Sequence, residues 1–208
     1  MSKREAVSAK PARRSHFFAY LGRLRWIQRW GLMRNAIEEN VATHSWDVAV
    51  LAHALAVIRN EEFGGNVDAN AVVTAALYHD AAEVITGDMP TPVKYHSPVM
   101  RAAFGDIEDK AQDELLALLP ETLREAFLPY LKESQWPEET RQLVKAADRL
   151  SAYLKCQSEI RAGNREFDHA ADQILARLKE DGLPEVQYFL EVFAPGYSKT
   201  LDHLLARD

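Results

Sequence analysis

The residues best suited to chemistry in this sequence are His79 and Asp80, which directly follow an apolar run over residues 71–78. An ionised carboxylate in so apolar a segment needs a cation or another close partner, because it has lost part of its hydration. Glu83 follows four residues after the histidine, so a second carboxylate lies nearby. The His-Asp pair therefore predicts a metal site with an additional acidic group beside it.

Two further polar residues lie in apolar, helix-like segments elsewhere in the chain. His44 precedes the apolar segment 46–58, and Asp148 lies inside a second such segment. Together with His79 and Asp80 they provide two imidazoles and two carboxylates. This donor set suits a borderline divalent transition ion and contains too much nitrogen for calcium, which prefers oxygen ligands. We predict one divalent ion and leave Co, Mn, Mg and Zn open, because metal identity also depends on availability.

The order of these residues, His44, then His79 and Asp80, then Asp148, resembles the H…HD…D pattern of the HD-domain phosphohydrolase superfamily. The surrounding sequence is more specific and is similar to the bacterial 5'-deoxynucleotidases of that superfamily. The matching segments are residues 29–35, 39–41, 78–84, 86–95, 145–148 and 152–156. The resemblance extends from about Ser15 to about Tyr197, which is nearly the whole chain.

The resemblance implies an all-helical, dimeric enzyme that hydrolyses deoxynucleoside 5'-monophosphates to deoxynucleoside and phosphate, with one divalent ion per active site. The residues that it implies are His44, His79, Asp80 and Asp148 as metal ligands, Glu83, Asp88 and Arg29 as catalytic groups, and Arg29, Trp30, His44, Asp80, Asp88, Met89, Pro90, Thr91 and Asp148 as substrate-binding groups. Glu83 would be the general acid/base that handles the water, Arg29 would orient the phosphate, and Trp30 would crowd the 2' position of the sugar.

One position departs from the pattern of similar proteins, which often carry an acidic residue directly before the first histidine. This chain has Thr43 there. A Thr hydroxyl can form a hydrogen bond, but it cannot add the negative charge that strengthens a neighbouring imidazole as a metal ligand. The sequence therefore leaves the metal affinity of His44 as an open property of this chain.

The same roles follow from the chemistry of the residues. Hydrolysis of a phosphate monoester is extremely slow in water, and a divalent ion accelerates it by activating water and polarising the phosphoryl group. Glu83 lies one helical turn after His79 and can reach such a water, with Asp88 as an alternative acid/base. Arg29 offers a planar fork of donors for phosphate oxygens. Trp30 forms a wall, which alone gives modest selectivity, so a polar group such as Asp88 must contribute.

Three other functions remain open. The first is an HD phosphohydrolase that acts on another nucleotide or a small phosphate ester. The second is a regulatory HD module that binds nucleotide without turnover, against which the intact Glu83 and Asp88 argue. The third is a structural helical protein, which would not need Arg29 and Trp30 beside four candidate metal ligands.

The sequence lacks the signature residues of two other reactions that HD-domain proteins catalyse. A two-metal phosphodiesterase needs extra histidines between the HD pair and the last aspartate, and this chain has only His96 there. Hydrolases of guanosine tetraphosphate carry Glu-Asp after the HD pair, whereas Glu83 is followed here by Val84. A one-metal monoesterase is the prediction that remains.

Composition narrows the class of protein further. With 208 residues, 47% of them hydrophobic and 27% charged, the chain can bury one full core. The net charge of −6 argues against a nucleic-acid polymer as ligand, because binding a phosphate backbone requires clustered Lys and Arg. Cys156 is the only cysteine, which predicts a reducing cytoplasm. We expect no membrane segment, since no apolar stretch reaches the roughly 18 residues that a span requires.

Helical periodicity predicts the elements that must position these residues. Residues 15–208 are expected to form a single all-α HD-domain bundle with the metal site between helices, and residues 1–14 a flexible extension without the apolar core of a signal peptide. Asp68 is expected to cap the helix that bears the HD pair, and Gly and Pro residues over 87–98 to form an irregular, substrate-gripping loop. The other predicted helices cover about 17–27, 44–61, 99–118, 121–132, 138–162, 166–180 and 185–194.

Overall fold

Helices dominate the computed structural model, which describes residues 14–205, and none of these residues forms a β-strand. The α-helices are α1 (Phe17–Leu21), α2 (Val41–Phe63), α3 (Ala69–Tyr78), α4 (Glu83–Thr86), α5 (Thr91–Lys94), α6 (Pro98–Leu118), α7 (Glu121–Leu131), α8 (Glu138–Arg161), α9 (Asp168–Glu180), α10 (Pro184–Val192) and α11 (Leu201–Leu205). Short 3₁₀ helices cover Gly22–Trp26, Glu133–Gln135, Arg165–Phe167 and Ala194–Ser198. The predicted all-α class is confirmed. The predicted extension lies outside the described residues, apart from Arg14.

The central contacts are those of α2, which packs against α3, α8 and α10. Leu51 and Leu55 of α2 share one buried apolar cluster with Val72 of α3 and with Leu143 and Leu150 of α8. Burying each side chain of this size contributes about 1.5–3 kcal/mol relative to leaving it in water. This cluster holds α2 and α8 side by side, and the two helices carry His44 and Asp148.

The position of α2 corrects one expectation from the sequence. Residues Val41–Phe63 are apolar and long enough to cross a membrane by length and composition, with a mean hydropathy of 1.4 over the apolar window. Of that window, 56% is buried inside the protein. A helix that is surrounded by other helices is apolar on most of its faces, and this explains the composition of α2.

The ends of α2 and α3 follow the expected local chemistry. Asn40 and Thr43 form a reciprocal capping box at the start of α2, and Gly64 ends the helix in the left-handed conformation with φ of 68°. The carboxylate of Asp68 accepts hydrogen bonds from the first backbone N–H groups of α3, as predicted.

The sequence prediction was wrong about where the HD pair lies on its helix. α3 ends at Tyr78, and the segment after it forms tight turns, in which the N–H of Glu83 donates to the carbonyl oxygen of Asp80 at 3.0 Å. His79 and Asp80 therefore lie in a turn between α3 and α4. These i→i+3 bonds wind the chain more tightly than an α-helix.

Two other predicted boundaries also differ. The first predicted helix, 17–27, divides at Gly22 into an α-helical turn and a 3₁₀ helix, consistent with the poor helix propensity of glycine. The predicted irregular loop after Glu83 is interrupted, because residues Thr91–Lys94 form one helical turn with Pro90 as the residue before it. Residues 87–90 remain irregular.

Candidate active site

The segment that carries Arg29 is fastened to the start of α2. Gln28 and Asn40 form an isolated antiparallel bridge. The backbone N–H of Arg29 donates to the carbonyl oxygen of Glu39 at 2.9 Å. This bridge brings the Arg29 side chain beside the turn of helix that bears His44.

Four predicted ligands converge at the point where α2, α8 and the turn after α3 meet. Nε2 of His44 lies 3.5 Å from Oδ2 of Asp80 and 3.1 Å from Oδ1 of Asp148. Nε2 of His79 lies 3.1 Å from the same Oδ2 of Asp80. Ligand atoms of His44, His79 and Asp80 are all within 4.8 Å of one another. The Asp148 side chain is 40% exposed, so the site opens to solvent at this residue.

The donor atoms fit a divalent ion. Nε2 of His44 and Nε2 of His79 are buried and make no hydrogen bond of good geometry with the described residues. Such orphaned atoms are costly unless something binds them. Nδ1 of His79 lies 2.7 Å from the carbonyl oxygen of Ala76, and Nδ1 of His44 lies 3.4 Å from Oγ of Ser151. A carbonyl oxygen can only accept, so the contact with Ala76 places a proton on Nδ1 of His79 and leaves its Nε2 to ligate, whereas the Ser151 hydroxyl can donate or accept and only helps to orient the His44 ring.

The charges around the site keep the two ligand carboxylates, Asp80 and Asp148, ionised. Burial opposes the negative charge of Asp80, but His79, His44 and Arg29 hold the pKa of this carboxyl far below its usual range. Burial likewise opposes ionisation of Asp148, and His44 outweighs it and lowers the pKa. Burial lowers the pKa of His79, but the adjacent Asp80 carboxylate raises it to about 9. Anionic carboxylates are what a cation site requires, and a bound ion would displace the second proton that Asp80 stabilises on the His79 imidazole.

Arg29 lies at the edge of this cluster. Its Nε donates to Oε1 of Glu39 at 2.9 Å, and its Nη1 donates to Oδ2 of Asp80 at 3.2 Å. Burial opposes the guanidinium charge, but the carboxylates of Asp80, Asp148 and Glu39 raise the pKa of Arg29 above its ordinary value. Arg29 is therefore a permanent cation, and 13% of its side chain is exposed.

Glu83 and Asp88 are the two acidic groups next to the ligands. Oε2 of Glu83 is buried without a hydrogen-bond partner among the described residues. Burial, with Asp80 and Asp88 nearby, raises the pKa of Glu83 to about 10 in the metal-free protein, so its carboxyl is protonated there at neutral pH. Burial also raises the pKa of Asp88, against the opposing effect of Arg29. The site thus contains a carboxyl group that holds a transferable proton.

The remaining predicted substrate residues follow Asp88 in the chain and do not join the hydrogen-bond network of the ligand cluster. Met89 and Pro90 are half-buried in the irregular segment after Asp88, and Thr91 is exposed at the start of α5. Within residues 14–205, no hydrogen bond connects these three to the predicted metal ligands. Their contact with a nucleotide stays a prediction.

Residues 16–197 match the family model described as YfbR-like 5'-deoxynucleotidase. The chain belongs to this family. A 5'-deoxynucleotidase of Photorhabdus laumondii is 51% identical over 190 residues, covering 91% of this chain and 96% of the relative. A 5'-deoxynucleotidase of Escherichia coli, YfbR, is 48% identical over 192 residues, covering 92% of this chain and 96% of the relative. Among solved structures, an HD-domain phosphohydrolase of Listeria innocua has 26% identity, 88% coverage of each chain and a TM-score of 0.77. The predicted family is confirmed.

In this YfbR-like chain, Trp30 has the strained backbone of the site. Its φ of 60° is the one positive value at a non-glycine residue within the described part of the chain. The indole packs on Phe167 with ring centroids 5.3 Å apart, and its Nε1 donates to Oε1 of Glu39 at 3.3 Å. Much of this side chain is therefore held by core contacts, and its predicted contact with the sugar is untested.

Glu39 is a residue of the YfbR-like site that sequence reasoning missed. One of its oxygens accepts hydrogen bonds from both Arg29 and Trp30, and it lies 3.9 Å from Nδ1 of His44. Thr43 instead uses its hydroxyl to cap α2 and is exposed. Glu39 thus places a negative charge beside the imidazole where Thr43 cannot. Its position within the matching segment 39–41 was the available signal.

Proposed function

We propose that this protein is a metal-dependent 5'-deoxynucleotidase that hydrolyses deoxynucleoside 5'-monophosphates to deoxynucleoside and phosphate. The observation that carries the proposal is the convergence of two orphaned imidazole nitrogens with two carboxylates, directly beside Arg29 and Glu83. Membership of the YfbR-like 5'-deoxynucleotidase family supports the same substrate class.

In the proposed mechanism, each side chain has a distinct task. His44, His79, Asp80 and Asp148 would hold one divalent ion, which supplies Lewis-acid polarisation and a lowered pKa of water. Hydrolysis forms a bond from water oxygen to phosphorus, breaks the bond to the 5' oxygen, and moves one proton from water to that oxygen. Glu83 is placed to exchange this proton, because its carboxyl lies beside the ligand carboxylate of Asp80 and its Oε2 has no hydrogen-bond partner among the described residues.

Arg29 would bind the phosphate. Its Nε is occupied by Glu39, which orients the planar guanidinium with its far edge towards the ligand cluster. Two parallel N–H donors on that edge match two phosphate oxygens. Trp30, Asp88 and the following Met89, Pro90 and Thr91 would hold the sugar and base.

Phosphate release by metal-stripped protein, reconstituted separately with Co, Mn, Mg or Zn, tests this function. We expect release from dAMP and dTMP, weaker release from AMP, and none from glycerol phosphate or from any substrate without added metal. Equal release from glycerol phosphate would favour a general HD phosphohydrolase. Tight binding of dAMP without turnover under every ion would favour a regulatory module.

We further propose a cytoplasmic homodimer. The family resemblance supports the dimer, as do large exposed apolar side chains such as Trp46 and Val50 on α2. Light scattering after size-exclusion chromatography should give twice the chain mass of 23.5 kDa. A mass of one chain at micromolar concentration would contradict the dimer, and recovery from a membrane or periplasmic fraction would contradict the compartment.

A further inference from the structure

Buried polar side chains continue along α8 from the ligand cluster towards the loop of residues 27–40, which carries Arg29. Ser151, Lys155 and Glu159 follow Asp148 at intervals of three, four and four residues, so all lie on one face of the helix. Their relative exposures are only 5%, 7% and 0%. Polar groups this deeply buried need partners, and the partners of Lys155 and Glu159 lie in the loop.

Glu159 and Lys155 fasten one short stretch of that loop. Oε2 of Glu159 accepts a hydrogen bond from the backbone N–H of Ala36 at 2.8 Å, and Oε1 accepts one from Ile37 at 3.0 Å. Nζ of Lys155 donates to the carbonyl oxygen of Ile37 and to Glu159. The side-chain amide of Asn164 adds a 2.8 Å hydrogen bond to Glu159. Both carboxylate oxygens are thus fully used.

This network stabilises the position of the loop more than it stabilises the packing of α8. Burial alone would raise the pKa of Glu159, but the hydrogen bonds from Lys155, Asn164 and the loop lower it to about 2. Replacing a complete buried ion pair by apolar residues of similar volume is often neutral for stability, whereas breaking one side of it is costly. The pair is satisfied only when residues 36–37 lie in their observed place.

The fastened stretch is directly connected to the phosphate-binding group. Residues 36–37 lie just before Glu39, which accepts hydrogen bonds from both the side chain and the backbone of Arg29. We propose that Lys155 and Glu159 are positioning residues, which hold Arg29 in place for the substrate phosphate by fastening residues 36–37 to α8. The proposal rests on the proposed function only in taking a phosphate ester as the ligand.

Kinetics of Glu159→Gln test the proposal, because Gln keeps the size of the side chain and removes its charge. A small misplacement of a binding group can cost up to about 10²-fold. We expect KM for dAMP to rise about tenfold, with kcat changed by less than about twofold. The Kd of Co²⁺, measured by calorimetry, should change less than KM, because no predicted ligand lies in the loop and only Glu39 approaches one, at 3.9 Å from Nδ1 of His44.

Glu185→Gln is the matched control. Glu185 is also fully buried and forms an ion pair with Arg59 that joins α10 to α2, away from the loop. Thermal unfolding should show both variants destabilised, but only Glu159→Gln should raise KM. An equal rise of KM in both variants would overturn the positioning role, since it would reflect general destabilisation.

A milder variant and a second ligand keep the test decisive if Glu159→Gln does not fold. Asn164→Ala removes the amide that bonds to Glu159 and to the carbonyl of Arg34, and should raise KM about threefold. Calorimetry with inorganic phosphate needs no turnover. Weaker phosphate binding in Glu159→Gln and Asn164→Ala, here called the loop variants, but not in Glu185→Gln supports the positioning role. This holds even if wild type hydrolyses no deoxynucleotide, and that absence of hydrolysis would overturn the proposed function alone. Hydrolysis by wild type, with KM and phosphate affinity unchanged in the loop variants, overturns positioning alone.

Discussion

Replacing Asp80 with Asn is expected to lower phosphate release by about 10³-fold or more, through loss of the bound ion and of its electrostatic effect. One oxygen of this carboxylate lies 3.1 Å from His79, 3.5 Å from His44 and 3.2 Å from Arg29. An amide removes the negative charge that these three groups share. The same change leaves Arg29 and His79 without their common counter-ion, so the metal-stripped protein should also lose stability.

Calorimetric titration with Co²⁺ or Zn²⁺ measures the first effect, and thermal unfolding the second. Asp109→Asn is a suitable control, because Asp109 is 61% exposed and pairs with Lys132 outside the site. It should leave both metal affinity and turnover unchanged. Wild-type metal affinity in Asp80→Asn would show that the ion is held elsewhere, and would remove the basis of the proposed mechanism.

Glu83→Gln is expected to lower kcat by about 10²- to 10⁴-fold, the usual contribution of a general acid/base. In contrast, the stability of the metal-stripped protein should increase in this variant relative to wild type as pH rises. Burial and the nearby Asp80 and Asp88 raise the pKa of Glu83 from 4.5 to about 10. The folded protein therefore binds a proton that the unfolded chain has lost, so this group makes stability fall as pH rises between those values.

Gln cannot titrate, and it keeps the shape of the protonated carboxyl. In metal-stripped protein, the melting temperature of wild type should therefore fall relative to that of Glu83→Gln as pH rises from about 5 to about 9. Parallel pH dependence of the two proteins would contradict a buried, protonated Glu83. This measurement is independent of activity.

Asp88→Asn separates the two candidate acid/base groups. If Glu83 exchanges the proton, Asp88→Asn should mainly raise KM, because Asp88 lies beyond α4 and next to Arg29. A large loss of kcat in Asp88→Asn together with nearly normal kcat in Glu83→Gln would transfer the acid/base role to Asp88. Glu125 is exposed on α7, so Glu125→Gln is a control that should leave both kcat and KM unchanged.

Much of the architecture follows from local sequence patterns. Apolar periodicity predicts α2, α6, α8, α9 and α10 to within a few residues, because each helix must bury one face or more. The caps at Asp68 and Gly64 also follow from local backbone chemistry. Where the pattern is short, as in α4 and α5, a single helical turn is too weakly encoded to predict.

In the site, the ligand residues could be predicted from the sequence, but the turn that carries two of them could not. Residue types and their order predicted His44, His79, Asp80 and Asp148 as one donor set, because buried imidazoles and carboxylates need a common cation. The tight turn that carries the HD pair was missed, since a 3₁₀-like turn has nearly the same sequence requirements as the helix it extends. That turn decides how the two side chains converge.

The sequence by itself determined the helical class, the family and the kind of chemistry, because these depend on residue types, spacing and periodicity. Only the tertiary structure decided which charges surround each ligand. Arg29 lies beside Asp80 because the Gln28–Asn40 bridge fastens its segment to the start of α2, which bears His44. The hold of Glu159 on the loop of residues 27–40 likewise joins groups far apart in the chain. Contacts of this kind are set by the packing of α2 against α8, and local sequence patterns do not encode them.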